Sequence, residues 1–70
     1  MKFDEVLKEV RRELKISQEQ FAHELCVSFT TLNRWENNRS APSPLAKLRI
    51  VEYCSKKGVS KSIIEELKQI

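Results

Sequence analysis

Two short amphipathic segments, each opened by a serine and separated by almost no linker, constrain this chain more than any other feature. They read Ser17-Gln18-Glu19-Gln20-Phe21-Ala22-His23-Glu24-Leu25-Cys26-Val27 and Ser28-Phe29-Thr30-Thr31-Leu32-Asn33-Arg34-Trp35-Glu36. Ser17 and Gln20 have the S-x-x-Q form of a capping box, in which the serine oxygen and the glutamine side chain each satisfy a backbone N–H that a helix start leaves unpaired. A helix is therefore predicted from Gln18, with Phe21, Ala22 and Leu25 on one face. Ser28 offers a second N-cap ahead of Leu32 and Trp35, which predicts a second helix over Phe29–Glu36.

Helices joined so tightly must cross at a steep angle, and the small Ala22 lets the second backbone approach closely. That arrangement is a helix-turn-helix. Gln18, Ala22, Leu25, Val27, Leu32 and Trp35, then Glu36-Asn37, resemble the DNA-binding motif of the Cro and phage-repressor (XRE-like) family of bacterial regulators. The resemblance covers the motif closely and most of the chain more loosely. It implies an all-α, compact five-helix helix-turn-helix domain of the phage-repressor type. Two positions depart from the family. Cys26 stands where the family usually has glycine in the turn, at a backbone position of positive φ that costs a non-glycine residue about 1 kcal/mol. Asn38 replaces the glycine after the second helix, and asparagine is the next best residue for a left-handed position.

Length decides what else can be present. With 70 residues the chain reads as one domain over 1–70, able to bury only about 60% of the surface its unfolded form exposes, with no room for a catalytic domain beside a binding domain. No apolar run approaches a membrane span, and Met1-Lys2-Phe3-Asp4-Glu5 turns acidic where a signal peptide would turn apolar, so the expected location is cytoplasmic. Cys26 and Cys54 lack C-x-x-C spacing and a histidine at zinc-site distance. Both are expected to be small buried or half-buried thiols, with no metal and no cofactor. An enzyme is not expected: Asp4 and His23 lie on different helices, and there is no glycine-rich loop.

The remaining segments also read as helices. Phe3, Val6, Leu7, Val10 and Leu14 form a stripe that predicts a helix over Phe3–Leu14, with Asp4 and Glu5 in the first turn, where the helix dipole favours negative charge. Ser43-Pro44 restarts the chain after a loop over Asn37–Pro42, and the helix from Pro44 stops at Gly58 behind Lys56-Lys57. Its apolar residues, Leu45, Ala46, Leu48, Ile50, Val51, Tyr53 and Cys54, make more than one stripe, an apolar surface that needs cover on two sides. Ser60 is expected to cap a last helix to about Gln69, with Ile63, Ile64, Leu67 and Ile70 on one face. The resemblance adds a tie between elements: the family's arginine at the position of Arg11 pairs with the glutamate that closes the second motif helix, here Glu36. The plainer alternative is an exposed arginine.

The same resemblance assigns a DNA-reading face. Base-reading positions fall on Phe29, Thr30 and Asn33 or Arg34, with Ser28 near both phosphate and base. Arg34 either grips a guanine through O6 and N7 or meets a phosphate. Phe29 either packs on a thymine methyl or folds back into the core, leaving Thr30 and Asn33 with more of the readout. Gln18 matches a phosphate-binding glutamine, and Ser17, Asn37 and Arg39 match backbone-contacting positions. Charge agrees: the formal net charge is +3, and between the second motif helix and the segment that follows it Arg34, Arg39, Lys47 and Arg49 face only Glu36. The expected protein is a repressor that binds double-stranded DNA at a palindromic operator as a homodimer, with Ile50, Tyr53, Ile64, Leu67 and Ile70 as candidates for the dimer surface. The alternative is an antitoxin or other interaction module whose partner is a toxin or a larger regulator.

Overall fold

Three helices begin where a serine side chain satisfies an unpaired backbone N–H, and three end in a left-handed residue whose backbone N–H closes the last turn. The computed structural model describes residues 1–69 and forms five α-helices among them: α1 Phe3–Leu14, α2 Gln18–Leu25, α3 Phe29–Glu36, α4 Pro44–Lys57 and α5 Lys61–Gln69. The Ser17 hydroxyl accepts from the Gln20 N–H at 3.0 Å, Ser28 from the Thr31 N–H at 3.0 Å and Ser43 from the Ala46 N–H at 3.2 Å. The capping box at α2 forms only in half, because the Gln20 amide donates to Glu24 instead of returning to Ser17. At the other ends, Lys15, Cys26 and Gly58 turn the chain left-handed after α1, α2 and α4, at φ 57°, 60° and 76°. Asn38 does so just beyond α3, at φ 57°.

α1 packs against α3 and α5, α2 against α3 and α4, and α4 against α5. Val6, Leu7 and Val10 of α1 meet Phe21, Ala22 and Leu25 of α2, Leu32 and Trp35 of α3, Ile50 and Cys54 of α4, then Val59, Ile63 and Leu67, in one buried cluster. Phe3 closes over Trp35 edge-on, with ring centroids 6.3 Å apart, and Phe21 packs on Tyr53 at 5.6 Å. Apolar burial from every helix holds the short α2 and α3 in place, since helices this short are marginal alone.

Three expectations change. Cys26 is exposed, because a residue at a left-handed helix end points out of the crossing it closes; Cys54 alone is buried. Ile50 and Leu67, proposed for a dimer surface, are 1% and 0% exposed in this chain's own core, so neither can reach a second copy. Tyr53 and Ile64 are half-buried, and Ile70 lies outside the described residues. The apolar surface of α4 is covered by α2 and α5 but not completely: Ile50 and Cys54 are buried and Ala46, Val51 and Tyr53 pack half-buried on the core, whereas Leu45 and Leu48 stand 68% and 54% exposed.

Candidate nucleic-acid interface

α3 presents two chemically different sides. Leu32, Trp35 and Glu36 are buried, while Phe29, Thr30 and Arg34 are exposed and Asn33 is half-buried. The buried side is fixed by packing and by one ion pair. Arg11 of α1 donates through Nε to Glu36 Oε2 at 2.9 Å and through Nη2 to Oε1 at 2.8 Å. The Glu36 side chain is 2% exposed and that of Arg11 26%, so this two-pronged pair is desolvated mainly on the carboxylate side. It ties the last turn of α3 to α1 and gives the outward side of α3 a fixed rotation about the helix axis.

The pair also sets the charge of the surface. Glu36 is the acidic residue between Phe29 and Val51, and it is withdrawn into the core, leaving Arg34, Arg39 and Arg49 exposed on that stretch with Lys47 half-buried. A cationic face with no exposed carboxylate in this stretch attracts a polyanion.

Around α3 the N-termini of two helices and one loop supply neutral polar groups. Ser17 is exposed and Gln18 half-buried at the start of α2. Ser28 is exposed at the start of α3, but its hydroxyl is already committed, accepting from the Thr31 N–H and donating to Thr31 Oγ1 at 2.8 Å. Asn37 is exposed, and its amide donates to the Asn33 carbonyl at 2.8 Å, a use as a helix end-cap that the sequence did not announce. The Arg39 N–H donates to the Arg34 carbonyl at 2.9 Å, holding the loop against the end of α3 with the guanidinium exposed. Phe29 does not fold back: it stands 51% exposed at the first turn of α3. Ser17, Gln18, Ser28, Phe29, Thr30, Asn33, Arg34, Asn37 and Arg39 thus fall on the start of α2, the length of α3 and the loop behind it.

A tightly joined two-helix motif with its second helix pinned inward and its outer side polar and cationic has the shape of a major-groove reader. A family model described as helix-turn-helix matches residues 7–57. The chain belongs to the Cro/C1-type helix-turn-helix family. No curated protein and no solved structure matches the chain. This helix-turn-helix family is one of DNA-binding domains, and the match runs from α1 to the end of α4, so it includes both residues of the Arg11–Glu36 pair.

A second cluster was not foreseen. Tyr53 on α4 donates its hydroxyl to Glu24 Oε1 of α2 at 2.5 Å, and Lys57 lies 3.5 Å from the same oxygen and 5.8 Å from the Tyr53 ring centroid. The bonds from Tyr53 and Gln20 hold the Glu24 carboxyl below its ordinary 4.5, while burial and the Glu24 charge push the phenol upward. This cluster locks α4 to α2. Glu13 likewise accepts from the Ser60 N–H at 2.6 Å and hydroxyl at 3.1 Å, joining α1 to the start of α5, so the Ser60 hydroxyl expected to cap α5 is turned to α1 instead and the Ile64 N–H bonds the Ser60 carbonyl. Both are positioning contacts: the first holds the first motif helix, α2, against α4, and the second lies outside the motif. No helix among the described residues is long and apolar enough to cross a membrane, and no group of His, Cys, Asp and Glu among them could hold a metal ion.

Proposed function

We propose that this chain is a sequence-specific transcriptional regulator of double-stranded DNA, a cytoplasmic repressor that binds a palindromic operator as a homodimer with α3 in the major groove. The observation that carries the reading is the sidedness of α3: Leu32, Trp35 and Glu36 are held inside, which turns Phe29, Thr30, Asn33 and Arg34 outward in one fixed orientation. A helix fits the major groove, where each base pair presents a distinct pattern of donors, acceptors and methyl groups. In this reading Phe29 packs on a thymine methyl, Thr30 and Asn33 bond base edges, and Arg34 grips a guanine. Ser17, Gln18, Asn37 and Arg39 hold phosphates and set the register, with Ser28 beside them. A single motif offers few contacts, and a two-fold pair doubles them on half-sites about 34 Å apart. Arg34 and Arg39 give each dimer about four ionic phosphate or base contacts, enough for affinity to fall on the order of 100-fold between about 50 and 200 mM salt.

A protein-interaction module, such as an antitoxin acting within a larger complex, is the second reading, favoured by the exposed Leu45 and Leu48. Selection of bound sites from random duplex DNA at two salt concentrations separates the two. The regulator yields a two-fold symmetric consensus with half-sites one helical turn apart and steep salt dependence. Weak, sequence-blind binding would refute it and leave the interaction module.

A further inference from the structure

We propose that the exposed side of α4 formed by Leu45, Leu48, Arg49 and Glu52 is the surface on which a second copy of this chain docks, the two α4 helices running antiparallel across a two-fold axis. The inference rests on the homodimer reading above and supplies the surface that Ile50 and Leu67 cannot.

The first observation is apolar. Leu45 and Leu48 are 68% and 54% exposed, and they sit three residues apart, on the same helical face. Single exposed leucines are ordinary, but these two adjoin each other and a groove of about 230 Å³ lined by Pro44, Lys47, Leu48, Val51 and Lys68. Leu48 stands where the stripe meets the rim of that groove, so the apolar surface left open on α4 is wider than one side chain.

The second observation is charge. Arg49 and Glu52 continue the stripe one turn on, both are exposed, and neither forms an ion pair among the described residues. With the axis between Leu48 and Arg49, each Arg49 lies about 6 Å along the helix, roughly one turn, from Glu52 of the other copy, within reach of two long side chains. A stripe that carries both signs in this order complements itself, which is what an isologous interface needs. A uniformly acidic or basic partner would leave one of the two charges opposed.

The third observation is position. Trp35 at the end of α3 lines one small cavity with Ala46, Arg49 and Ile50 of α4, so the N-terminal half of α4 flanks α3. A two-fold axis between the α4 helices sets both copies of α3 at the same height along it. Half-sites one turn apart put each α3 about 17 Å from the axis. That distance fits within a molecule measuring 27 × 22 × 19 Å.

Sedimentation equilibrium of the wild type, Leu48→Glu, Arg49→Glu and Arg49→Glu/Glu52→Arg tests the surface, with far-UV circular dichroism as the check on folding. Leu48 is exposed, so its replacement leaves the helices intact. The expected result is a wild-type dimer and a folded, monomeric Leu48→Glu, its self-association weakened about 100-fold or more. Arg49→Glu should weaken it by roughly 10-fold, and the double reversal should restore it to within about 3-fold of wild type. A Leu48→Glu protein that dimerises as tightly as wild type overturns the surface while the homodimer reading stands. A double reversal that restores nothing overturns the antiparallel arrangement. A wild type that stays monomeric at high concentration overturns both, and leaves the exposed side of α4 to a different protein.

Discussion

Arg11→Ala removes the one side chain that meets both oxygens of Glu36, at 2.9 and 2.8 Å. What remains is a carboxylate 2% exposed at the last turn of α3, without another side-chain donor among the described residues. Breaking a buried pair from one side costs about 3–5 kcal/mol, because the surviving charge has lost water and gained nothing in return. The guanidinium side of this pair is 26% exposed, so water can partly replace it, and the lower end, about 3 kcal/mol, applies. A chain of this size has a total stability of roughly 4–10 kcal/mol, so the loss is a large share of the whole. At about 4–8 °C per kcal/mol the midpoint should fall by about 12–24 °C. Thermal unfolding followed by far-UV circular dichroism reads this directly. Arg11→Met/Glu36→Leu, which replaces both charges with apolar groups of similar size, should recover most of the loss. A fall of less than about 3 °C for Arg11→Ala would refute the argument that the pair is desolvated and fixes α3.

Other residues give sharper local tests. Cys26→Gly relieves a side chain held at φ 60°, and should raise stability by about 0.5–1 kcal/mol, or roughly 2–8 °C; an unchanged or lower midpoint contradicts the strain. Cys26 is exposed and should be alkylated in the native protein. Cys54, buried and with its thiol pushed up to about 12 by burial first and the Glu13 charge second, should react only on unfolding, and equal labelling of the two by peptide mass spectrometry would contradict this. Tyr53→Phe should flatten the pH dependence of stability at both ends. The raised phenol contributes stability below its ordinary value of 10 that is lost as pH rises beyond it, and the lowered Glu24 carboxyl contributes stability above 4.5 that is lost as pH falls below it. Superimposable profiles of midpoint against pH for wild type and Tyr53→Phe would exclude the coupling.

The helices were legible because punctuation and periodicity agree. Ser17, Ser28 and Ser43 each cap the helix that follows, and Cys26, Asn38 and Gly58 take the left-handed turns that end one, so the boundaries of α2 and α3 match those read from the residues. The sidedness of α3 was legible for the same reason: Leu32 and Trp35 fix the buried stripe, and the outward residues follow. α4 was harder. With apolar residues on most of its circumference, its sequence could not tell which stripe α2 and α5 would cover, and that ambiguity put Ile50 on the surface when the exposed pair is Leu45 and Leu48. Lys15 gave no sign of its left-handed turn, since a lysine rarely marks one. The Tyr53–Glu24 bond spans 29 positions and the Ser60–Glu13 contact 47, and no local pattern announces contacts set by how helices stack. The Arg11–Glu36 pair spans 25 positions and was reached only through resemblance to a family.

The central claim is that the outward residues of α3 read base edges. Site selection from random duplex DNA, run in parallel for wild type, Phe29→Ala and Arg34→Ala, tests it most directly. The account predicts that both variants keep the two-fold symmetry and half-site spacing of the wild-type consensus while each loses preference at its own position in the half-site, a relaxation worth about 1–3 kcal/mol per base pair. A consensus unchanged in every position for both variants would contradict it.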